Sequence, residues 1–150
     1  MRVVIQRVSI AGVTVDDETV GRIDRGLMVL VGFADGDGEQ QMQWMANKIC
    51  GLRVFEDEEE RMNLSVGDIG GSVLLVPNFT LYADCQRGRR PSFSGAAAPD
   101  EATHLFDRFC TIMQEFPIPV EKGQFGAHMV VGLSNDGPVT LIIDSPQPSS

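Results

Sequence analysis

Only two histidines and three cysteines occur in the chain, and its 12 lysines and arginines are outnumbered by 21 aspartates and glutamates. Each shortage closes off a class of function. The cysteines, Cys50, Cys85 and Cys110, are odd in number and show no metal-ligand spacing, which argues against a disulfide framework or a zinc site. They read as free thiols, with Cys50 and Cys110 on buried helix faces. A net charge of −9 excludes broad, non-specific holding of nucleic acid, because phosphate neutralisation needs cations spread over the binding face. No apolar run approaches the roughly 20 residues that span a bilayer. The charged, strand-like opening Met1-Arg2-Val3-Val4-Ile5-Gln6-Arg7 carries no signal-peptide pattern, so a cytoplasmic protein without a membrane partner is expected. Also missing are the Gly-x-Ser-x-Gly elbow, the Walker-type phosphate loop, the dinucleotide glycine fingerprint and His-Glu-x-x-His. No cofactor and no metal are expected.

A chain of 150 residues with 43% apolar content is about one domain, long enough for a substantial core. The domain is expected over 1–144, followed by a disordered Pro/Ser-rich tail over 145–150. Residues 2–10, 13–15, 20–23 and 27–33 are rich in β-branched residues and read as a meander of short strands, with turns at Asp16-Asp17 and Asp24-Arg25-Gly26. The period then changes. Asp37 can cap a helix with Gln40 three residues on, and Met42, Met45, Ala46, Ile49 and Cys50 share one face. The acidic run Glu56-Asp57-Glu58-Glu59-Glu60 reads as a solvated turn rather than an ion site. Residues 72–76 form a buried strand that delivers Phe79 and Thr80 at its end. A second helix is expected from Pro99 to about Glu115, with Ala102, Leu105, Phe106, Phe109, Ile112 and Phe116 facing the core.

Chemistry is sparse. Thr80 is the best-placed hydroxyl nucleophile, but threonine needs an activating base, and the only histidines are His104, inside the second helix, and His128. Near the C-terminus, Ser134-Asn135-Asp136-Gly137-Pro138-Val139-Thr140 lies between two apolar runs and reads as strand, tight turn, strand. Gly137 is free to take positive φ, and Pro138 has no backbone donor. The other distinctive stretch is Val76-Pro77-Asn78-Phe79-Thr80-Leu81-Tyr82-Ala83-Asp84, followed by Arg87-Gly88-Arg89-Arg90-Pro91-Ser92-Phe93.

Together these stretches resemble the D-aminoacyl-tRNA deacylase family. That family carries Ser-Gln-x-Thr-Leu in mid-chain and Asn-x-Gly-Pro-x-Thr near the C-terminus, and Asn135, Gly137, Pro138 and Thr140 match the second motif in full. Ile5-Gln6-Arg7-Val8, Gly70-Gly71-Ser72-Val73, Arg90-Pro91-Ser92-Phe93 and Phe125-x-Ala127-x-Met129 follow in the family's order. The resemblance spans 1–144. It implies an α/β fold, a three-layer sandwich of mixed, largely antiparallel β-sheet with two main helices, assembled as a homodimer with active sites at the subunit interface. It also implies hydrolysis of D-aminoacyl-tRNA, and of mischarged glycyl-tRNA, at the 3′ end.

The same resemblance assigns roles. Gly137-Pro138, in cis, would enter the partner's pocket, accept from the substrate's α-ammonium and leave no room for an L side chain, while Arg7 braces that loop. Phe79, Phe93 and Met129 would wall the pocket, and Asn78, Phe79 and Thr80 would make up the catalytic stretch. The backbone N–H groups of Phe79 and Thr80 would form an oxyanion site, and the 2′-hydroxyl of the terminal adenosine would activate water. Arg87, Arg89 and Arg90 would form a small basic rim. Where the family has Ser-Gln, this chain has Pro77-Asn78; a related animal branch of relaxed chirality also has proline there. Two alternatives therefore stay open: a catalytically impaired dimer of the same fold that binds tRNA ends, and a chirally relaxed deacylase.

Overall fold

The computed structural model describes residues 1–147. Its longest strands, β1 (Arg2–Val15) and β8 (Val130–Asp144), lie antiparallel along almost their whole length. On its other edge, the first half of β1 pairs with β3 (Gly26–Gly32) and its last residues pair with β2 (Glu18–Ile23), both antiparallel. β3 continues into β6 (Ser72–Pro77) and β6 into β7 (Val120–Lys122), both parallel. The expected meander is corrected here. Residues 2–10 and 13–15 are one strand, and the order is β2-β1-β3, because β1 is long enough to serve both neighbours.

One strand can do this because its side-chain alternation slips where it bends. Val3 and Ile5 are buried in one apolar cluster, and Val8, Ala11 and Val13 in another. β3 and β6 are covered on both faces, as parallel strands usually are. Leu27, Val29, Val31, Val73 and Leu75 face the first cluster, whereas Met28, Leu74 and Val76 face the second. The first cluster is completed by α1 (Glu39–Gly51) and α2 (Pro99–Gln114), through Met42, Met45, Ala46, Ile49, Phe106, Phe109, Ile112 and Met113. The second is closed by the curled arm of β1, β2 and β8, and Gly21 of β2 passes against Lys122 and Leu74. The layers are thus helices, sheet and folded-over sheet. A small hairpin of β4 (Phe55–Glu56) and β5 (Met62–Leu64) carries the acidic turn, which Asp57 organises by accepting from the Glu59 and Arg61 amides.

Several local expectations are corrected. The N-cap of α1 is Gly38, whose amide donates to Gln41 Oε1 at 2.9 Å, and the expected cap Asp37 is engaged elsewhere. Asp37 accepts from the Met1 ammonium at 2.8 Å and from the Ala34 amide at 2.7 Å, ionic and loop contacts that outcompete capping. Proline opens α2 as expected. Ser145, placed in the tail, is instead buried, donating its amide to Met1 O and accepting the Met1 ammonium on its hydroxyl. Residues 148–150 of that tail lie outside the described residues. No helix among the described residues is long and apolar enough to cross a membrane.

The three thiols differ sharply in environment. Burial pushes Cys50 and Cys110 up to about 11, which keeps them protonated at neutral pH, whereas Cys85 is exposed. A thiol reagent at pH 8 should therefore label the native protein at Cys85 within minutes and reach Cys50 and Cys110 only after denaturation. Mass spectrometry of the labelled peptides checks this.

Candidate active site

β6 ends where its chemistry begins. The β7 ladder stops opposite Leu75, so β6 loses that neighbour two residues before Pro77, where a missing N–H is tolerated. The Asn78 amide still donates to Val31 O at 2.7 Å. Asn78 then caps a single 3-10 turn, Phe79–Tyr82, by accepting from the Thr80 amide at 3.1 Å and from the Thr80 hydroxyl. This is an Asx turn, the local closure that a short amide side chain makes two residues on. The turn sits hard against β3. A Cβ on Gly32 would meet Asn78 O at 3.1 Å, Leu81 Cβ at 3.2 Å and Tyr82 Cδ2 at 3.3 Å, so a side chain there would push the turn away from β3 by a few tenths of an ångström. Arg2 ties the turn from below, donating to Leu81 O at 3.0 Å and to Asp144 at 2.7 Å while lying over the Tyr82 ring.

Beside the turn lies an open cavity of about 960 Å³. Asn78, Phe79, Phe93 and Met129 all line it, joined by Leu30, Val76 and Pro77 below and by the start of α2 at Ala98 and Pro99. Phe79 and Phe93 meet edge to face with centroids 5.0 Å apart, yet they are 53% and 39% exposed. Two aromatics in edge-to-face contact, left open to solvent at a cavity mouth, are surface suited to a planar ligand. Met129 reaches the cavity under Gly123, and its sulfur accepts the Gln124 amide at 3.4 Å.

Thr80 does not line the cavity, and its hydroxyl is held by Asn78, not by a base. Its amide is likewise taken by Asn78, so of the two expected oxyanion donors only the Phe79 N–H has no acceptor among the described residues. Asp35 and His128 are the ionisable side chains in the cavity wall; His128 carried no assigned role, and Asp35 was missed. Asp35 lies in the segment between β3 and α1, where no local pattern in the sequence points toward the cavity. Among the described residues no group of three or more His, Cys, Asp or Glu is arranged to hold a metal ion.

Gly137, Pro138 and Arg7 stand apart from this cavity. The expected hairpin turn at 134–140 is corrected. β8 runs straight through it, paired to β1 on both sides, with the register broken opposite Arg7. The extra residues bulge outward, and the Gly137–Pro138 peptide is cis. Side chains close the bulge: Asn135 Oδ1 accepts the Val139 amide at 2.8 Å, and Asn135 Nδ2 donates to Thr140 Oγ1 at 3.0 Å. Beneath it lies Arg7, 5% exposed, donating from Nε to Asp136 O at 2.9 Å and from Nη1 to Val54 O at 2.7 Å. Gly137 has φ +138°, and a Cβ there would lie 2.8 Å from Val139 Cγ2 and 3.2 Å from Arg7 Nη2, so any side chain would strain the bulge. Gly137 and Pro138 remain exposed.

Arg7 joins two elements through one buried and one partly buried hydrogen bond, so its loss should cost stability as well as order. Arg7→Met strands the carbonyls of Val54 and Asp136 and is expected to destabilise the protein by about 2–4 kcal/mol. Arg7→Lys, whose point charge cannot serve both carbonyls in fork geometry, should fall between. Urea unfolding of the three proteins checks this; an unchanged midpoint in Arg7→Met would contradict the bracing.

Comparisons with known proteins agree with this architecture. The family model for D-Tyr-tRNA(Tyr) deacylase matches residues 4–144. The chain is 55% identical over 145 residues to the D-aminoacyl-tRNA deacylase of Thermotoga petrophila, covering 97% of each chain. It is 51% identical over 145 residues to that of Clostridioides difficile, again covering 97% of each. A solved structure titled c-Myc DNA Unwinding Element Binding Protein superposes with a TM-score of 0.92 at 37% identity, over 98% of this chain and 100% of that one. A probable eukaryotic D-amino acid tRNA deacylase shares the fold, with a TM-score of 0.78 at 22% identity over 95% and 97% of the two chains. Matched over nearly its whole length, the chain belongs to the D-Tyr-tRNA(Tyr) deacylase family.

Proposed function

We propose that the protein hydrolyses the ester bond of D-aminoacyl-tRNA in the cytoplasm, releasing free amino acid and tRNA, and that it acts as a homodimer in which Gly137-Pro138 of one subunit enters the cavity of the other. One observation carries this reading: an exposed main-chain bulge, braced from below by a buried arginine, stands outside its own chain's cavity. Such bracing suits an element that must keep its shape against a ligand from outside. Val130 and Ile142, 61% and 71% exposed on the same strand, supply apolar surface for a second copy.

The chemistry follows from what the cavity holds. The terminal adenosine stacks on Phe79 and Phe93, and Met129 backs the aminoacyl group. The Gly137 and Pro138 carbonyls of the partner accept from the α-ammonium and occupy the space into which an L side chain would project. A D side chain points outward and touches nothing, so selection is by exclusion and side-chain identity is ignored. Glycine has no side chain to exclude and is hydrolysed as well. The Phe79 N–H polarises the ester carbonyl, a donor typically worth about 2.7–4 kcal/mol of barrier. Thr80 and Asn78 act by fixing the turn that presents it. With the amide and hydroxyl of Thr80 both held by Asn78, water activation falls to the 2′-hydroxyl of the adenosine.

Deacylation of D-Tyr-tRNA, L-Tyr-tRNA and Gly-tRNA, measured side by side with purified protein, tests this. The expected result is rapid loss of the D and glycyl esters with the L ester spared. Loss of all three would identify a chirally relaxed enzyme, and binding without turnover would identify a tRNA-end-binding protein.

A further inference from the structure

Eight of the 12 lysines and arginines of this acidic chain have a partner among the described residues, and of the other four only Lys122, on β7, lies outside a single loop. Arg2, Arg7, Arg22, Arg61 and Arg108 each pair with a carboxylate, Arg53 donates to Asn63, and Arg25 and Lys48 lie over the rings of Phe55 and Trp44. Arg87, Arg89 and Arg90 have no ion-pair, hydrogen-bond or ring partner among the described residues, and all three are exposed. Three cations within four residues of one loop, in a chain of net charge −9, repel one another unless an anion sits among them.

The loop that carries them, 85–91, is held in place at its base. Asp84 and Ser92 exchange backbone hydrogen bonds at 2.7 and 2.9 Å, and the Gln86 amide donates to Asp84 Oδ1 at 3.0 Å. Gly88, with φ +67°, makes the tip. The residue after this clamp is Phe93, which walls the cavity, and Ser94 lines it too. The arginines therefore stand beside the cavity mouth, on a loop whose base is continuous with the cavity wall.

We propose that Arg87, Arg89 and Arg90 form the docking surface for the phosphodiester backbone of the tRNA acceptor end, gripping the nucleotides that lead out of the cavity. This rests on the deacylase reading of the cavity and adds where the rest of the substrate lies. Guanidinium groups suit the task because their planar forks match phosphate oxygens. Held outside the reacting centre, they act on the bound substrate and its transition state alike, so they lower KM and leave kcat alone.

The test compares wild type with the triple variant R87Q/R89Q/R90Q on D-Tyr-tRNA and on 3′-O-(D-tyrosyl)adenosine, which has no phosphate. With tRNA the variant should raise KM roughly tenfold at unchanged kcat, and the salt dependence of log(kcat/KM) should become shallower by about 2–3, or 0.7–0.9 per phosphate contact. With the nucleoside ester it should match wild type. Unchanged KM and salt slope on tRNA would overturn the proposal, and so would an equal loss on both substrates, which would mean that the loop merely shapes the cavity. Should wild type hydrolyse neither ester, the deacylase reading fails on its own. Anisotropy of labelled, uncharged tRNA then still decides the loop: weaker binding by the variant supports it, and equal binding overturns it.

Discussion

The guanidinium of Arg7 is the contact on which the rest of the arrangement depends. A charge that is 5% exposed is costly unless its donors are satisfied, and Arg7 meets this by donating to the carbonyls of Asp136 and Val54, with Asp136 and Glu56 carboxylates at 3.6 and 3.8 Å. In doing so it occupies the place in β1 where the register with β8 breaks. The bulge, the bend of β1 between two apolar clusters and the hairpin of β4 and β5 thus meet at one residue. What projects from that junction is main chain: Gly137 and Pro138, fixed from below and open above.

The proposed selection by main chain would need few catalytic side chains. It would need shape, and shape is supplied by Arg7, Asn135 and Thr140 on one side and by the Asn78 turn on the other. Both are hydrogen-bond closures of irregular backbone by short polar side chains or a buried fork. The Asn78 turn follows β6 and the bulge lies within β8, and within one chain they do not share a cavity. The proposed dimer would bring them together.

How much of this could be read in the sequence divides along physical lines. The faces of α1 and α2 were legible, because Met42, Met45, Ala46 and Ile49, and Phe106, Phe109 and Ile112, repeat at helical period and the core obeys that period. β6 was legible as a short buried run. The cavity residues Asn78, Phe79, Phe93 and Met129 were reached through family resemblance, and composition alone would not have grouped them. What was misread depended on distant partners. Asp37 looks like a cap, but the Met1 ammonium and the Ala34 amide claim it. Asn135 to Thr140 looks like a hairpin turn, since nothing local reveals that β1 pairs with the chain on both sides of it. Thr80 looks like a donor until Asn78 is seen to hold its amide. In each case long-range pairing or side-chain competition overrode a sound local rule.

The central claim is that the working site is assembled from two subunits, and subunit complementation tests it most directly. Gly137→Leu should block the partner's cavity and leave its own intact; the double variant N78A/F79A should disable its own cavity and leave its Gly137-Pro138 intact. Each homodimer alone should be inactive on D-Tyr-tRNA. After the two are unfolded together and refolded, mixed dimers should regain activity, with one working site per mixed dimer. Recovery that follows the mixed-dimer fraction is the predicted result. No recovery, with mixed dimers shown to form by native mass spectrometry, would contradict the account and place both halves of the site in a single chain.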